Sequence, residues 1–393
     1  MAFGHRCSLL GRWVRLVSRT GLVLASAAVL IFTGYAWTLS RQLDGSLSTS
    51  AVLDHSRHAN RTSPAGSGPA TALRPMNVLL VGLDSRTDAQ GNPLPPQVLA
   101  ALHAGGDDGK LNTDTLIVVH VSTEPTQPTV AVSIPRDSYV TVPGVGTHKI
   151  NSAYRRGMLA AKSTLAAQGI SGGELERLAR QAGGQKLVQA VEQLTGVTLD
   201  HYAEVNLAGF YAITQAVGGV PVCLTAPVHD SYSGANFSAG PQTVSGAAAL
   251  AFVRQRHGLP RGDLDRISRQ HAYLSGLAHR LLSGDVLLNP GALAALREAI
   301  ARYVVIDHGW DLAGVLEQAG SMSEKSIKFQ TIPTGRIDLP TTDGEAVQID
   351  PEQVQQFMAK LTNPTDRPLD PSTSNAPATP AVGPVVTSMP CVS

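Results

Sequence analysis

Short apolar runs and helically spaced apolar positions alternate along the chain, which predicts strands interleaved with helices. The runs at residues 77–84, 115–121 and 129–134 are typical of strands buried on both faces. This order indicates an α/β fold with helices on both sides of a sheet. Further strands are predicted at residues 201–206, 220–224 and 327–332, and helices at residues 151–168, 185–194, 207–217, 264–282 and 290–304.

The apolar segment at residues 21–39 carries no charge and is long enough to cross a bilayer as a helix. Four arginines precede it, so the positive-inside rule places residues 1–20 in the cytoplasm and the remainder outside. A cleaved signal peptide is the alternative, but its apolar region is normally shorter. The sequence therefore predicts a single-pass, membrane-anchored protein with an extracytoplasmic domain.

Composition changes twice more along the chain. Residues 40–75 are rich in Ser, Ala, Gly and Pro and predict a flexible linker. Residues 363–393 are rich in Pro, Thr and Ser and predict a disordered tail. Between them, residues 76–362 form the predicted globular domain, in which residues 87–112 are interpreted as a surface loop.

Charge and cysteine content limit the classes of function. The formal net charge is +1, which argues against a nucleic-acid binder, since such proteins carry a strongly basic face. Three cysteines are too few for a disulfide scaffold. Cys223 and Cys391 would form one disulfide in an oxidising compartment, and free thiols are the alternative.

Polar and charged residues follow or precede the first three predicted strands. Asp84 and Arg86 come directly after the first strand, and Asp114 enters the second. Arg136 and Asp137 follow the third strand within an Ile-Pro-Arg-Asp motif. Because ligands of open α/β sheets bind where strands end, these residues indicate a binding site.

Residues 253–270 carry five arginines within a chain of almost neutral charge. In an extended segment, Arg254 and Arg256 would share one face. On a following helix, Arg266, Arg269 and Gln270 would share another. Such a cluster fits a polyanion such as pyrophosphate. The alternative is a solvated basic face neutralised by the neighbouring aspartates, of which Asp263 would also cap the helix.

Asp84 and Asp114 allow two interpretations. Isolated carboxylates at strand ends are commonly caps or ion-pair partners. Beside a pyrophosphate they would instead hold Mg²⁺, which typically takes one or two carboxylates together with substrate oxygens.

Six segments in order resemble the LytR-CpsA-Psr family of cell-wall glycopolymer transferases. They span about residues 77–270 and read NVLLVGLDSR, NTDTLIVV, VSIPRDSYV, HKINSAYRRG, VNLAGFYAITQAVGGVPV and GAAALAFVRQRHGLPRGDLDRISRQ. The resemblance implies a mixed β-sheet sandwiched between helices in three layers, with a long apolar groove for a polyprenyl chain.

The resemblance also implies the reaction and the residues that serve it. A glycopolymer would move from a polyprenyl pyrophosphate carrier to a peptidoglycan hydroxyl as a phosphodiester. The sequence itself shows no nucleophile–base triad and no Gly-x-Ser-x-Gly motif, which predicts direct transfer without a covalent enzyme intermediate. Asp84 and Asp114 would bind Mg²⁺. Catalytic roles fall to Arg136, Arg254, Arg256 and Arg266, and substrate contacts to Arg86, Asp137, Lys149, Arg269 and Gln270.

Two other functions use the same residues. A polyprenyl pyrophosphate hydrolase would keep the site and accept water, and a non-catalytic carrier would bind polyprenyl phosphate without turnover. The carboxylates at Asp84 and Asp114 favour an enzyme, because arginines alone would suffice for binding. The sequence indicates neither the particular glycopolymer nor an oligomeric state.

Overall fold

The computed structural model describes residues 48–53, 75–102, 111–122, 127–259, 262–281, 283–310, 327–362 and 391–393. All of them fall in one compact unit, Leu47–Trp310 with Glu317–Ser393. The strands are β1 (Ser48–Ser50), β2 (Met76–Leu83), β3 (Thr113–Val121), β4 (Val130–Ser133), β5 (Ser138–Val142), β6 (Gly146–Lys149), β7 (His201–Asn206), β8 (Val220–Leu224), β9 (Val228–Asp230), β10 (Ala235–Phe237), β11 (Gly240–Val244), β12 (Val304–Asp307), β13 (Lys328–Thr331) and β14 (Val347–Gln348).

The helices lie between and after these strands. They are α1 (Pro96–Ala101), α2 (Ser152–Ala167), α3 (Gly172–Thr195), α4 (Leu207–Ala216), α5 (Gly246–Arg254), α6 (Asp263–Leu281), α7 (Gly284–Leu287), α8 (Pro290–Tyr303) and α9 (Pro351–Thr362). Each helix or strand predicted from the sequence has a counterpart here. The one predicted at residues 185–194 is longer, because α3 begins at Gly172.

A seven-stranded mixed sheet organises the fold, in the order β1-β12-β7-β2-β3-β4-β13. Strands β2, β3 and β4 pair antiparallel, whereas β2 and β7 are parallel. With this register the ends of β2, β4 and β7 meet the start of β3 at one edge. The charged residues that border these strands are therefore brought to the same place.

One face of the sheet packs on α2, α3 and α9 in a continuous apolar core. Helices α2 and α3 approach closely at two glycines, as a Cβ at Gly157 would lie 2.5 Å from the Lys186 Cβ. A Cβ at Gly183 would lie 2.8 Å from the Tyr154 carbonyl oxygen. Larger residues at either position would force this helix pair apart.

A second core joins α4, α5 and α6 to the strands β8 and β11. Helix α6 reaches the opposite face of the large sheet, where His271 Nε2 lies 2.7 Å from Ser133 Oγ and the His271 ring packs on Phe329. Burial lowers the pKa of His271 to about 4, so its imidazole is neutral at pH 7. Helical layers thus contact both faces of the mixed sheet.

A charged group lies inside the first core. The Arg180 guanidinium pairs with the Glu204 carboxylate, and both side chains are almost fully buried. Glu204 Oε2 also accepts hydrogen bonds from the hydroxyls of Tyr154, at 3.1 Å, and Tyr202, at 2.6 Å. Burial, followed by the Glu204 charge, raises the pKa of both tyrosines. Arg180 also donates to Thr87 Oγ1 and the Asp88 carbonyl, which ties the core to the segment after Asp84.

The structure corrects three predictions about segments outside the core. Residues 48–53 belong to the domain rather than to a linker, because β1 pairs with β12 and Val52 and Leu53 are buried. Part of the interpreted surface loop folds as α1, with Leu94 and Leu102 buried in the second core. The last three residues pack against β8 instead of forming a free tail. Of the described helices, none is long and apolar enough to cross a membrane; the predicted anchor at residues 21–39 lies outside the described residues.

A disulfide joins Cys223 of β8 to Cys391 across 168 residues. Backbone bonds extend the contact, since Val392 N donates to the Cys223 carbonyl and Thr225 N donates to the Val392 carbonyl, both at 2.9 Å. The covalent bond thus fixes the end of the chain to the second core.

Replacement of Cys391 by serine is expected to lower the free energy of unfolding by about 2–4 kcal/mol, because the unfolded chain gains the freedom that the cross-link removes. Urea unfolding of the full chain in detergent would measure the change. Dithiothreitol should lower the wild-type value by a similar amount and leave the variant unchanged. Equal stability of the wild-type protein and the variant would show that the bond contributes nothing.

Candidate active site

Backbone pairing brings the carboxylates of Asp84 and Asp114 to the same edge of the sheet. Leu83 pairs with Thr113 after a register shift, and Asp84 N donates to the Asn112 carbonyl at 3.0 Å. Gly82 lies opposite Thr115, whose Cβ would be 3.0 Å from a Cβ at Gly82, so a larger residue at Gly82 would crowd Thr115 next to the site. Asp84 directly follows the end of β2, and Asp114 lies at the start of the neighbouring strand β3.

Arg136 occupies the centre of the site and contacts three carboxylates. Its Nη1 donates to Asp114 Oδ1 at 2.5 Å. Its Nε lies 3.6 Å from Asp137 Oδ2 and 3.7 Å from Asp263 Oδ1. The Ile-Pro-Arg-Asp motif thus places one guanidinium between carboxylates from β3, from the motif itself and from α6.

Three further cations surround the same carboxylates. Arg266 Nη2 lies 2.7 Å from Asp263, and it donates to the Asp114 carbonyl at 3.3 Å. Lys149 Nζ and Arg256 Nη2 lie 3.3 and 3.4 Å from Asp137. We call this group the arginine–aspartate cluster: Asp114, Arg136, Asp137, Lys149, Arg256, Asp263 and Arg266. Its four cations outnumber its three carboxylates, so it can accept an anion.

Burial and the neighbouring charges shift the pKa values of the site in different directions. Burial raises the pKa of Asp263, against the opposing effect of Arg266 and Arg136. It lowers the pKa of Arg266, whereas the pKa of Arg136 is raised because Asp114, Asp137 and Asp263 outweigh desolvation. Charge–charge interactions are strong in such a site because little water screens them.

Asp263 was interpreted from the sequence mainly as a helix cap or a neutralising charge. It does begin α6, but its side chain faces the three arginines of the cluster, with Arg256 Nε 3.7 Å away. The sequence signal that identifies it is an acidic residue placed between Arg256 and Arg266. Asp265, two residues later in the same helix, is also buried.

Arg254 and Arg256 reach the site differently from the prediction. Helix α5 continues to Arg254, so the two side chains do not project from one extended strand. Burial raises the pKa of Asp84, and the charge of Arg254 offsets part of that rise, whereas Arg256 enters the arginine–aspartate cluster. The two arginines thus have different carboxylate neighbours.

Arg269 and Gln270 lie beneath the cluster rather than in it. Arg269 is buried, donates to Gln255 Oε1, and donates through Nε to the Ser393 carbonyl oxygen at 2.5 Å. Gln270 is also buried and donates to the Val253 carbonyl at 3.4 Å. Their contacts connect α6 to the segment that carries Arg254 and Arg256. Arg269 and Gln270 therefore hold that segment in position.

Asp84 is a largely buried carboxylate that lies beside Arg86. Burial raises its pKa, Arg86 lowers it, and the Asp114 charge raises it. Its Oδ1 is buried and accepts no hydrogen bond from the described residues, although Arg86 Nη1 lies 3.1 Å away. The described residues contain no group of three or more metal-binding side chains. Two carboxylates fit Mg²⁺ only in the mode that adds substrate oxygens.

An apolar strip runs from the site across the sheet face opposite α2 and α3. It consists of Leu80, Val119, Ala203, Val205 and Phe329, all half-buried. Strand register places these five side chains on one face of the sheet. Leu79 and Val81 alternate with Leu80 and therefore point to the opposite face, into the core with α3. Val205 pairs with Gly82, two residues before Asp84, so the strip ends beside the carboxylates.

Comparison with known proteins agrees with this fold. The model of the LytR_cpsA_psr family matches residues 43–363. The cell wall biosynthesis protein LcpA of Corynebacterium glutamicum is 42% identical over 368 residues, which cover 92% of this chain and 69% of LcpA. TagU of Oceanobacillus iheyensis, a polyisoprenyl-teichoic acid–peptidoglycan teichoic acid transferase by name, is 31% identical over 218 residues, or 56% of this chain and 55% of TagU. TagV of Bacillus subtilis shares the fold, with a TM-score of 0.51 at 23% identity over 74% of this chain and 98% of TagV.

The fold and the sequence matches are those of a family of cell-wall glycopolymer transferases. The chain belongs to the LytR-CpsA-Psr family, as the match over residues 43–363 establishes. The family predicted from the six sequence segments is therefore confirmed.

Proposed function

We propose that this protein is a phosphotransferase that moves a glycopolymer from a polyprenyl pyrophosphate carrier to a peptidoglycan hydroxyl. The observation that carries the proposal is the arginine–aspartate cluster, which gathers four cations at the end of an apolar strip. A ligand with a pyrophosphate head and a long apolar tail matches both features. The name of TagU supports the same class of reaction, and the name of LcpA supports a role in cell wall biosynthesis.

The cluster is preorganised for a pyrophosphate. Asp114, Asp137 and Asp263 hold Arg136, Arg256 and Arg266 close together. Guanidinium groups bind phosphate oxygens through parallel hydrogen bonds. The Nε atoms of Arg136 and Arg266 are buried and donate no hydrogen bond to a described residue, so a substrate would have to be bound by the Nη atoms of these guanidinium groups.

The apolar strip provides the surface for the polyprenyl chain. Its half-buried side chains begin beside Asp84 and continue across the sheet face. Burial of a polyprenyl chain there would contribute about 25 cal/mol for each Å² of apolar surface removed from water. A membrane anchor at residues 21–39, with the domain outside the cytoplasm, would place this strip where such lipids occur.

The reaction would be a direct displacement at phosphorus. The acceptor hydroxyl oxygen would bond to the phosphorus that carries the glycan and lose its proton, while the bond to the lipid phosphate breaks. Phosphoryl transfer depends mainly on positioning and on neutralising charge, which the cluster supplies. Asp84 and Asp114 would hold Mg²⁺, which would neutralise further charge on the pyrophosphate.

A reconstitution would test the proposal. The full chain in detergent would be incubated with Mg²⁺, a short-chain lipid-pyrophosphate disaccharide and soluble peptidoglycan fragments. Mass spectrometry should detect peptidoglycan that carries the disaccharide phosphate. Free disaccharide phosphate alone would indicate a hydrolase, and lipid binding without turnover would indicate a carrier.

Removal of divalent cations is expected to lower transfer at least 10-fold and to be reversed by excess Mg²⁺, because the two carboxylates would otherwise repel the pyrophosphate. Titration with EDTA followed by Mg²⁺ in the same assay would measure the effect. An Asp84→Asn variant should respond less to Mg²⁺ than the wild-type protein. Full activity in EDTA would exclude the metal role.

A further inference from the structure

Two stacked aromatic rings lie exposed beside the arginine–aspartate cluster. Tyr232 is 81% exposed, and the side chain of His257 is 63% exposed. Their ring centroids are 4.2 Å apart and their planes are inclined by 28°. His257 follows Arg256 directly in the chain, so one ring of the pair belongs to the residue next to a member of the cluster.

A buried carboxylate holds both rings in place. Asp230 ends β9 and is 5% exposed. Its Oδ1 accepts from the backbone N–H of Tyr232 at 3.0 Å, and its Oδ2 accepts from the Ser233 hydroxyl at 2.7 Å. The same Oδ1 lies 3.8 Å from His257 Nδ1. The turn that carries Tyr232 and the segment that carries His257 are therefore fixed relative to each other.

The fold does not use the open face of Tyr232. His257 covers one face of the ring, so a side chain that is still 81% exposed must present its other face to water. A rigid ring of this kind offers contact area at a small entropic cost, because only two side-chain torsions must be fixed. The flat C–H face of a pyranose packs well on such a ring, while the sugar hydroxyls stay hydrated.

We infer that Tyr232 and His257 form a saccharide subsite, in which a sugar ring stacks on Tyr232 while the adjoining phosphate occupies the arginine–aspartate cluster. The inference rests on the proposed function and adds to it the surface that receives a sugar. The ring belongs either to the glycan of the donor or to the peptidoglycan acceptor. Both are pyranosides beside the reacting phosphorus, and kinetics distinguishes them.

The test replaces Tyr232 by alanine and by phenylalanine in the full chain, with Leu288→Ala as a control. Leu288 is comparably exposed, at 76%, in the link between α7 and α8. Tyr232→Ala should raise KM for one saccharide substrate about 10-fold and change kcat less than twofold, because stacking contributes binding but no chemistry. Tyr232→Phe keeps the ring and should stay within threefold of the wild-type KM, as should Leu288→Ala.

A rise confined to the donor KM would place the donor glycan on the rings, and a rise confined to the acceptor KM would place peptidoglycan there. Unchanged KM values for both substrates in Tyr232→Ala would overturn the subsite. A binding measurement keeps the subsite testable if no transfer is detected. In that case, titration of the full chain with soluble peptidoglycan fragments and with the unphosphorylated disaccharide should show binding that Tyr232→Ala weakens about 10-fold. Equal binding by wild type and variant, or none by either, would refute the subsite whatever the fate of the transferase proposal.

Discussion

Replacing Arg136 by alanine is expected to lower the rate of glycan transfer about 10³-fold, because it removes the central guanidinium of the site. Arg136 contacts Asp114, Asp137 and Asp263, and the variant would leave these three carboxylates with one cation fewer. The remaining site would repel a pyrophosphate more strongly and orient it less well. Steady-state transfer by the full chain, at saturating donor and acceptor, would measure the loss.

Two controls separate chemistry from folding in this experiment. Arg136→Lys keeps the charge but lacks the planar fork, so it should recover only part of the activity. Arg336→Ala removes an exposed guanidinium that pairs with Asp338 and should leave the rate within twofold. Retention of more than a tenth of wild-type turnover by Arg136→Ala would contradict the central role of this residue.

Replacing Glu204 by alanine is expected to destabilise the protein by about 3–5 kcal/mol, because the variant leaves a buried guanidinium without its counter-charge. Arg180 is nearly inaccessible to water, and the hydroxyls of Tyr154 and Tyr202 would lose their acceptor as well. Urea unfolding of the full chain would measure the change.

A surface ion pair provides the matched control for Glu204. Lys162 Nζ lies 2.9 Å from Glu176, and the Lys162 side chain is 42% exposed. Glu176→Ala should therefore cost no more than about 1 kcal/mol. A double variant, Arg180→Met with Glu204→Leu, should be more stable than Glu204→Ala, since it leaves no buried charge. A loss below 1 kcal/mol in Glu204→Ala would mean that the pair is solvated.

The sequence pattern predicts the strands and helices whose own residues show an apolar run or helical spacing. Strands β2, β3 and β4 are apolar runs of the right length, and α2, α4 and α6 follow helical spacing, so their positions agree with the structure within a few residues. Strand β1 cannot be predicted from such a pattern, because its sequence Ser-Thr-Ser is polar. It forms only because β12, more than 250 residues later, provides a partner.

The same distinction explains what the sequence could indicate about the site. The strand-end residues Asp114, Arg136 and Asp137 converge because antiparallel pairing brings their segments to one edge. Arg269 shares its residue type and helix with Arg266, yet it is buried against Gln255 and Ser393. Charge spacing alone cannot separate two such arginines, because their environments depend on contacts with distant segments.

The contacts of the last three residues also determine when the site can be completed. Cys391 meets Cys223 across 168 residues, and Ser393 lies 124 residues beyond Arg269. Contacts that close such long loops have a high entropic cost and form slowly. A newly synthesised chain is therefore expected to assemble its sheet and helix pairs before Arg269 gains its last acceptor. The Cys223–Cys391 bond would then form late in folding, and until it forms Arg269 would lack its contact with Ser393 below Arg254 and Arg256.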